Sequence, residues 1–209
     1  TPIREDPSEA LVGGTLEALP AGARVGTGSP RRTAQLRALR PDLDVRSIRG
    51  NVPTRVEKVR NGEYDAAVLA NAGLKRLGIE ADEVIPPVRI LPAPGQGALA
   101  VEVRADDGTS RVLLGAIEDH HVRAEVTAER EVLRNLGGGC LLPVGTYARI
   151  LEGSLVLDAA VAALDGSKVI RARYSGPIVE RSDIAMEVSN QLRANGALAL
   201  LEPEGAKEV

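Results

Sequence analysis

Two adjacent arginines, Arg31 and Arg32, follow Ser29-Pro30 at the predicted start of a helix. Serine is a favoured N-cap residue, and proline suits the first helical position. Cations in the first helical turn oppose the helix dipole, so another factor must favour them there. One interpretation is a solvated surface whose repulsion is screened by salt. The other is a site in which two guanidinium groups and free backbone N–H groups bind one anion.

A second strand end repeats this arrangement. Arg49 and Gly50-Asn51 follow a predicted strand, and Arg55 lies in the first turn of the next helix. Thr27 adds a hydroxyl group at the first strand end. The carboxyl ends of parallel strands share one edge of a sheet, where α/β proteins bind ligands. Residues 24–60 contain nine Arg and one Lys but only three acids, so we expect a polyanionic ligand at this edge.

Cys140 is the only cysteine and follows the glycines at 137–139. A lone thiol most often packs as a small hydrophobic group. A hydrolytic nucleophile needs an orienting base, and a phosphatase loop needs an arginine soon after the cysteine, which "CLLPVGT" lacks. The third interpretation is a covalent attachment point, because a glycine-rich loop allows positive φ and leaves the sulfur accessible. Of the three interpretations, only this one also gives the arginines a role, because they would bind the ligand that the thiol holds.

Composition excludes several classes of partner. Hydrophobic residues make up 44% of the chain, but no run reaches the roughly 18 apolar residues of a membrane span, so we expect no membrane partner. With no Phe or Trp, three Tyr and a net charge of -3, we expect no nucleic-acid partner. A single cysteine without a visible signal peptide favours the reducing cytoplasm.

Familiar cofactor and metal motifs are absent. "GTGSPR" has Arg31 where a dinucleotide fingerprint needs its third glycine, and no phosphate-loop motif occurs. His120 and His121 are adjacent on a predicted helix and therefore point in different directions. We expect no metal site.

The first half alternates strands and helices. Strands are predicted at 23–27, 45–48 and 64–70, and helices at 29–40 and 52–62. This alternation predicts an α/β fold with a parallel sheet. A segment rich in proline and glycine at 84–97 is typical of a domain crossing.

The second half has a different pattern. It predicts a strand at 98–103, helices at 109–118, 120–136 and 180–195, strands at 144–150, 154–164 and 167–175, and a last strand at 197–202. Glu-Gly and Asp-Gly turns separate the three middle strands, which favours an antiparallel meander. We therefore expect a small α+β domain with a three-stranded antiparallel sheet.

Six segments in this order resemble the porphobilinogen deaminases, also called hydroxymethylbilane synthases, over nearly the full length of the chain. They are "GTGSPRRTAQL", "RSIRGNVPTR", "GEYDAAVLANAGLKRLG", "LPAPGQGALAVEVR", "TAERE" and "GGGCLLPVG". These transferases of tetrapyrrole and haem synthesis join four porphobilinogens into hydroxymethylbilane, with release of ammonia, on a covalent dipyrromethane primer.

The resemblance implies a role for each candidate residue. It implies a thioether between Cys140 and the dipyrromethane cofactor, whose pyrroles each carry an acetate and a propionate. The implied cofactor- and carboxylate-binding residues are Thr27, Ser29, Arg31, Arg32, Arg49, Arg55 and Gly73. Gly28, Pro30 and Leu141 depart from the family pattern at positions that contact the cofactor.

The resemblance also implies a domain layout. Residues 1–97 correspond to an α/β domain of periplasmic-binding-protein type, residues 98–117 to a strand and helix that return to a first domain, and residues 118–209 to the α+β domain with the cysteine. The first domain, which carries the catalytic aspartate, would precede this chain, whose "TPIRED" start lacks Met. We therefore expect no catalytic residue here, no activity of the chain alone, an empty Cys140 and a monomeric enzyme.

One alternative belongs to a different functional class. The same arginines suit a non-catalytic module of periplasmic-binding-protein type that binds a small carboxylate, with Cys140 inert. Such a module would still bind its ligand after Cys140→Ser and would never carry added mass.

Overall fold

The computed structural model describes residues 1–139 and 142–201, which form two β-sheets with separate hydrophobic cores. The first sheet, in the order β3-β2-β4-β1-β5, consists of β1 (Glu9–Val12), β2 (Arg24–Gly26), β3 (Asp44–Arg46), β4 (Ala66–Ala70) and β5 (Glu83–Ile85). Strand β2 is parallel to β3 and β4, whereas β1 is antiparallel to β4 and β5. The α/β class is confirmed, but the sheet is mixed rather than wholly parallel.

Helices cover both faces of this sheet. They are α1 (Pro30–Leu39), α2 (Val52–Arg60) and α3 (Asn71–Arg76). Successive residues of a strand point to opposite faces, and β1 shows this directly. Leu11 packs with Leu36 of α1, whereas Ala10 packs with Val56 of α2. The side chain of Glu9, two residues before Leu11, therefore lies on the face that α1 covers.

Sequence patterns missed two strands of this sheet, β5 and β1, of which β1 carries Glu9. The sequence of β1, Glu-Ala-Leu-Val, is short, starts with an acid and does not alternate between polar and apolar residues. All four residues are buried because the strand lies between β4 and β5. Pairing with two partners that are distant in sequence creates this strand, which local propensity does not specify.

The second sheet is the predicted antiparallel meander. Its strands are β6 (Val144–Leu151), β7 (Ser154–Ala162) and β8 (Val169–Pro177). Glu152 (φ 49°) and Gly153 (φ 78°) form the β6–β7 turn, with the two positive φ values of a type I′ hairpin. The helices of this half are α4 (Gly108–Gly115), α5 (His120–Asn135) and α6 (Arg181–Ala194), of which α5 and α6 pack on the sheet. Within residues 1–139 and 142–201, no helix is both long and apolar enough to cross a bilayer.

Two predicted strands do not form in this structure. Residues 98–103 have no β-ladder partner within the described parts of the chain. Residues 197–200 form a 3₁₀ helix instead of a strand, because Gly196 (φ 85°) turns the chain after α6 and buries Ala197 in the second core. The prediction of a strand at 197–202 is therefore wrong for residues 197–201, which the structure describes.

Arg4 and Glu129 join the two halves. Arg4 donates from Nη1 to Glu129 Oε1 at 2.8 Å and from Nη2 to Oε2 at 3.1 Å. The amides of Gly95 and Ala148 also donate to this carboxylate, at 2.6 Å and 2.8 Å. Burial raises the pKa of Glu129, although the charge of Arg4 opposes the shift. One buried carboxylate thus connects the N-terminal segment, the proline-rich segment, α5 and β6.

The β7–β8 hairpin makes a second junction, against α1. A Cβ atom on Gly166 would lie 2.6 Å from the amide nitrogen of Ala38, so the hairpin approaches the helix backbone closely. Arg37 of α1 donates to the carbonyl of Leu164 in the same hairpin at 2.9 Å. The second sheet is thereby held against the helix that carries Arg31 and Arg32.

Candidate functional site

The turn between β2 and α1 is fixed by its own side chains. Ser29 is the N-cap of α1, where its hydroxyl accepts from the amide of Arg32 at 3.4 Å, and Pro30 follows as predicted. The amide of Ser29 donates to the hydroxyl of buried Thr27 at 3.2 Å. These bonds set the direction in which the first turn of α1 leaves the sheet.

Arg31 and Arg32 point into the protein. Their exposures are 4% and 8%, so the interpretation as a solvated surface is wrong. Arg31 Nη1 donates to the carbonyl of Leu91 at 2.6 Å, and Arg32 Nη1 donates to the carbonyl of Val68 at 3.3 Å. Gln35, one turn further along α1, exchanges two hydrogen bonds with the backbone of Leu91. Both arginines are therefore anchored to backbone carbonyls, Arg32 to the middle of β4 and Arg31 to the proline-rich segment.

Glu9 lies between the two guanidinium groups. Arg32 donates from Nε to Glu9 Oε2 at 2.8 Å, and its Nη2 lies 2.7 Å from the same oxygen. Arg31 Nη2 lies 2.7 Å from Glu9 Oε1. This second contact is an ion pair without hydrogen-bond geometry, since Oε1 accepts no hydrogen bond within the described residues. Sequence reasoning missed Glu9, and the only signal in the sequence was an acid directly before the short apolar run "ALV".

The charges in this cluster do not balance. Burial alone would raise the pKa of Glu9, but the charges of Arg32 and Arg31 and the hydrogen bond from Arg32 outweigh it and hold the pKa below its usual value. Burial lowers the pKa of Arg31, and Glu9 opposes that shift. Arginine side chains nevertheless stay protonated in proteins. Two buried cations therefore share one buried anion, and a net positive charge remains near the carboxyl edge of the sheet.

The second predicted turn lies at the start of α2. Asn51 caps this helix by accepting from the amide of Thr54 at 3.0 Å. Arg55 is half-buried and donates from Nε to the carbonyl of Gly50 at 2.8 Å, whereas Arg49 is exposed. Arg55 thus stabilises the turn, and Arg49 faces the solvent.

Gly28 and Gly73 lie where neighbouring segments of the candidate site approach each other. A Cβ atom on Gly28 would lie 3.2 Å from the carbonyl oxygen of Ile48, so the β2–α1 turn touches the segment that follows β3. A Cβ atom on Gly73, in α3, would lie 3.6 Å from a methyl group of Val52 in α2. Gly73 therefore lies beside the second turn.

A cavity of about 310 Å³ borders the first turn, next to the β7–β8 hairpin. Its lining includes Thr27, Ser29, Arg37 and Arg46, and none of the four arginines singled out from the sequence. Arg37 and Arg46 were not predicted as site residues, and both have partners, Leu164 and Asp44. A larger cavity of about 620 Å³ lies elsewhere, between residues 98–101 and α5.

Cys140 and Leu141 lie outside the described residues, so their predicted roles stay predictions. The three glycines before them, 137–139, have φ values of 107°, 65° and 131°. Such values are unfavourable for residues with a side chain, which explains the run of glycines. Within the described ranges, no three His, Cys, Asp or Glu side chains cluster as metal ligands, and His120 and His121 begin α5 under an Asp119 cap.

Comparison with protein families gives two matches that together span most of the chain. The model described as "Porphobilinogen deaminase, dipyromethane cofactor binding domain" matches residues 1–111. The model described as "Porphobilinogen deaminase, C-terminal domain" matches residues 123–194. The first match contains the arginine cluster, and the second contains Cys140.

Proposed function

Because the chain belongs to the porphobilinogen deaminase family, we propose that it takes part in condensing four porphobilinogens into hydroxymethylbilane, with release of ammonia. The family assignment makes it a transferase of porphyrin and tetrapyrrole biosynthesis with a dipyrromethane cofactor. The structural observation that carries the proposal is the buried Arg31–Glu9–Arg32 cluster, whose net positive charge suits a ligand carboxylate.

The arginines bind and orient carboxylates. A guanidinium group has five N–H donors in a fixed plane, so it can bind protein and ligand groups together. Arg31 and Arg32 are anchored to the backbone and to Glu9, which limits their motion. Arg49 is exposed and Arg55 is half-buried beside it, so they contribute positive charge nearer the solvent. Orienting the reacting groups in this way lowers the entropic part of the barrier.

This set of donors fits a dipyrromethane, which carries several carboxylates. The cofactor, when bound, supplies the primer to which the pyrroles are added. Cys140 would hold it through a thioether, and the glycines at 137–139 give the loop the backbone freedom to present the thiol. Thr27, Ser29 and Gly73 border the two turns where the carboxylates would bind.

We further propose that the catalytic aspartate belongs to an N-terminal domain that pairs with residues 98–117. Leu99, Val101 and Val103 are exposed in a segment that has no ladder partner within the described residues, and Val112 and Leu113 of α4 are exposed as well. Apolar side chains at such positions favour a covering partner. Without that aspartate, the chain alone is inactive. We also propose that the complete enzyme is a monomer in the cytoplasm and serves haem synthesis.

Intact mass spectrometry tests the attachment. The complete enzyme should carry the added mass of a dipyrromethane, and Cys140→Ser should lose it. A bare wild-type mass together with retained carboxylate binding would favour the non-catalytic module instead. For the partner domain, the chain alone should form no hydroxymethylbilane, and adding the N-terminal domain should restore the activity. Activity of the chain alone would contradict that part.

Substitution of exposed Arg49 tests whether these arginines bind ligand carboxylates, and it leaves the hydrophobic core unchanged. Arg49→Ala should reduce the fraction of enzyme that carries cofactor, or its rate of elongation, with an unchanged circular dichroism spectrum. Arg60→Ala is the matched control, because Arg60 is an exposed arginine at the opposite end of α2. Equal behaviour of the two variants would remove Arg49 from the site.

A further inference from the structure

Glu9 is a buried carboxylate inside the arginine site, and the proposed reaction gives it no role. It is fully buried, and within the described chain it is the only acid that pairs with Arg31 or Arg32. Its backbone lies in β1, opposite Ala70 of β4 on one side and Ile85 of β5 on the other. A strand held on both sides cannot shift easily, so the carboxylate has a fixed position.

The two arginines need such a partner. They are adjacent in sequence, lie in the first turn of α1 against its dipole, and repel each other at a buried position where solvent screens their charges little. Glu9 places one oxygen near each of them, with Oε1 toward Arg31 and Oε2 toward Arg32. A single carboxylate group thereby sets the separation of the two cations as well as their directions.

Some guanidinium N–H groups of this pair have no acceptor within the described residues. Within the described residues, Arg31 makes hydrogen bonds to the carbonyl of Leu91 and to Gln96 Oε1, and Arg32 makes them to Glu9 and the carbonyl of Val68. Each guanidinium group has five donors, so each keeps N–H groups for a further acceptor. Because Glu9 supplies only one negative charge, the cluster still attracts an anion.

We propose that Glu9 is a positioning residue: it holds the guanidinium groups of Arg31 and Arg32 in the orientation in which they bind the carboxylates of the cofactor and the growing chain. This inference rests on the proposed function. It assigns Glu9 no contact with the ligand and no proton transfer.

Three variants of the complete enzyme test the proposal. Glu9→Gln keeps the size of the side chain but removes its charge, and we expect kcat/KM for porphobilinogen and the fraction of enzyme with attached cofactor to fall at least tenfold, since small misplacements of binding groups cost on the order of 100-fold. Glu9→Asp keeps the charge and should recover much of that loss. Asp65→Asn is the control, because Asp65 pairs with Arg24 at the opposite edge of the same sheet.

Folding is monitored for each variant by circular dichroism, and activity is compared at equal folded fraction. Wild-type kcat/KM in folded Glu9→Gln would overturn the proposal. Equal impairment of Glu9→Asp and Glu9→Gln would also overturn it, since the charge would then be irrelevant. Wild-type enzyme without attached cofactor or activity would instead refute the proposed function.

A measurement on the wild-type chain keeps the proposal testable if Glu9→Gln does not fold. In protein that contains ¹⁵N-labelled arginine, the Nε–H proton of Arg32 should exchange with water at least tenfold more slowly than the Nε–H proton of exposed Arg49. The reason is that Arg32 Nε–H donates a hydrogen bond to Glu9. Exchange of Arg32 as fast as that of Arg49 would overturn the proposal. Assignment uses the Arg32→Lys and Arg49→Lys variants.

Discussion

Replacing Arg4 by alanine should destabilise the protein far more than a typical surface substitution. The change leaves Glu129 fully buried without its cation, although the amides of Gly95 and Ala148 still donate to it. Breaking a buried ion pair by removing one partner costs about 3–5 kcal/mol. For a chain of this size, that corresponds to a fall in Tm of about 6–20 °C.

The matched control is Arg24→Ala, which breaks the pair with Asp65. Both of those side chains are more than a third exposed, and such pairs contribute about 0–1 kcal/mol. Thermal unfolding followed by circular dichroism compares the two variants at the same pH and salt concentration. If Arg4→Ala melts no lower than Arg24→Ala, the argument from burial is wrong.

The same variant should show a dependence on pH. Without Arg4, burial raises the pKa of Glu129 further, and the folded protein then holds the proton more tightly than the unfolded chain. Stability of Arg4→Ala should therefore fall as the pH rises above the unfolded pKa of glutamate. The difference in Tm from the wild type should be larger at pH 8 than at pH 5, and the opposite trend would contradict this assignment.

Three smaller perturbations test other features. Gly166→Ala should lower the free energy of unfolding in urea by about 1–3 kcal/mol, and by more than Gly62→Ala, because both have positive φ but only Gly166 faces a close backbone. Ser29→Ala should cost about 1 kcal/mol in the same assay through loss of the N-cap. Asp65 should titrate by NMR with a pKa of about 2, since Arg24 donates to it, and Arg24→Ala should return that pKa toward its usual value. The stabilisation from Asp65 is present above its unfolded pKa and is lost as the pH falls through about 2.

Local sequence determined much of the fold and part of the candidate site. The Ser29-Pro30 start of α1 and the Glu-Gly turn between β6 and β7 appear where the sequence predicts them, and α2 ends at Arg60, two residues before its predicted end. Each depends on interactions within a few residues, such as a cap or a required φ value, which sequence patterns record directly. The placing of Arg31 and Arg32 in the first turn of α1 follows from the same local rules.

Tertiary structure alone decided what those arginines contact. Glu9 precedes Arg31 by more than twenty residues, and it meets the pair only because β1 lies antiparallel between β4 and β5. No local pattern marks "EALV" as a central strand, and none indicates that the two cations are buried around one acid. Residues 98–103 show the converse, because a sequence suited to a strand forms none where no ladder partner lies beside it in the described chain. Strand pairing and burial of charge depend on partners distant in sequence, whereas caps and turns carry their partners with them.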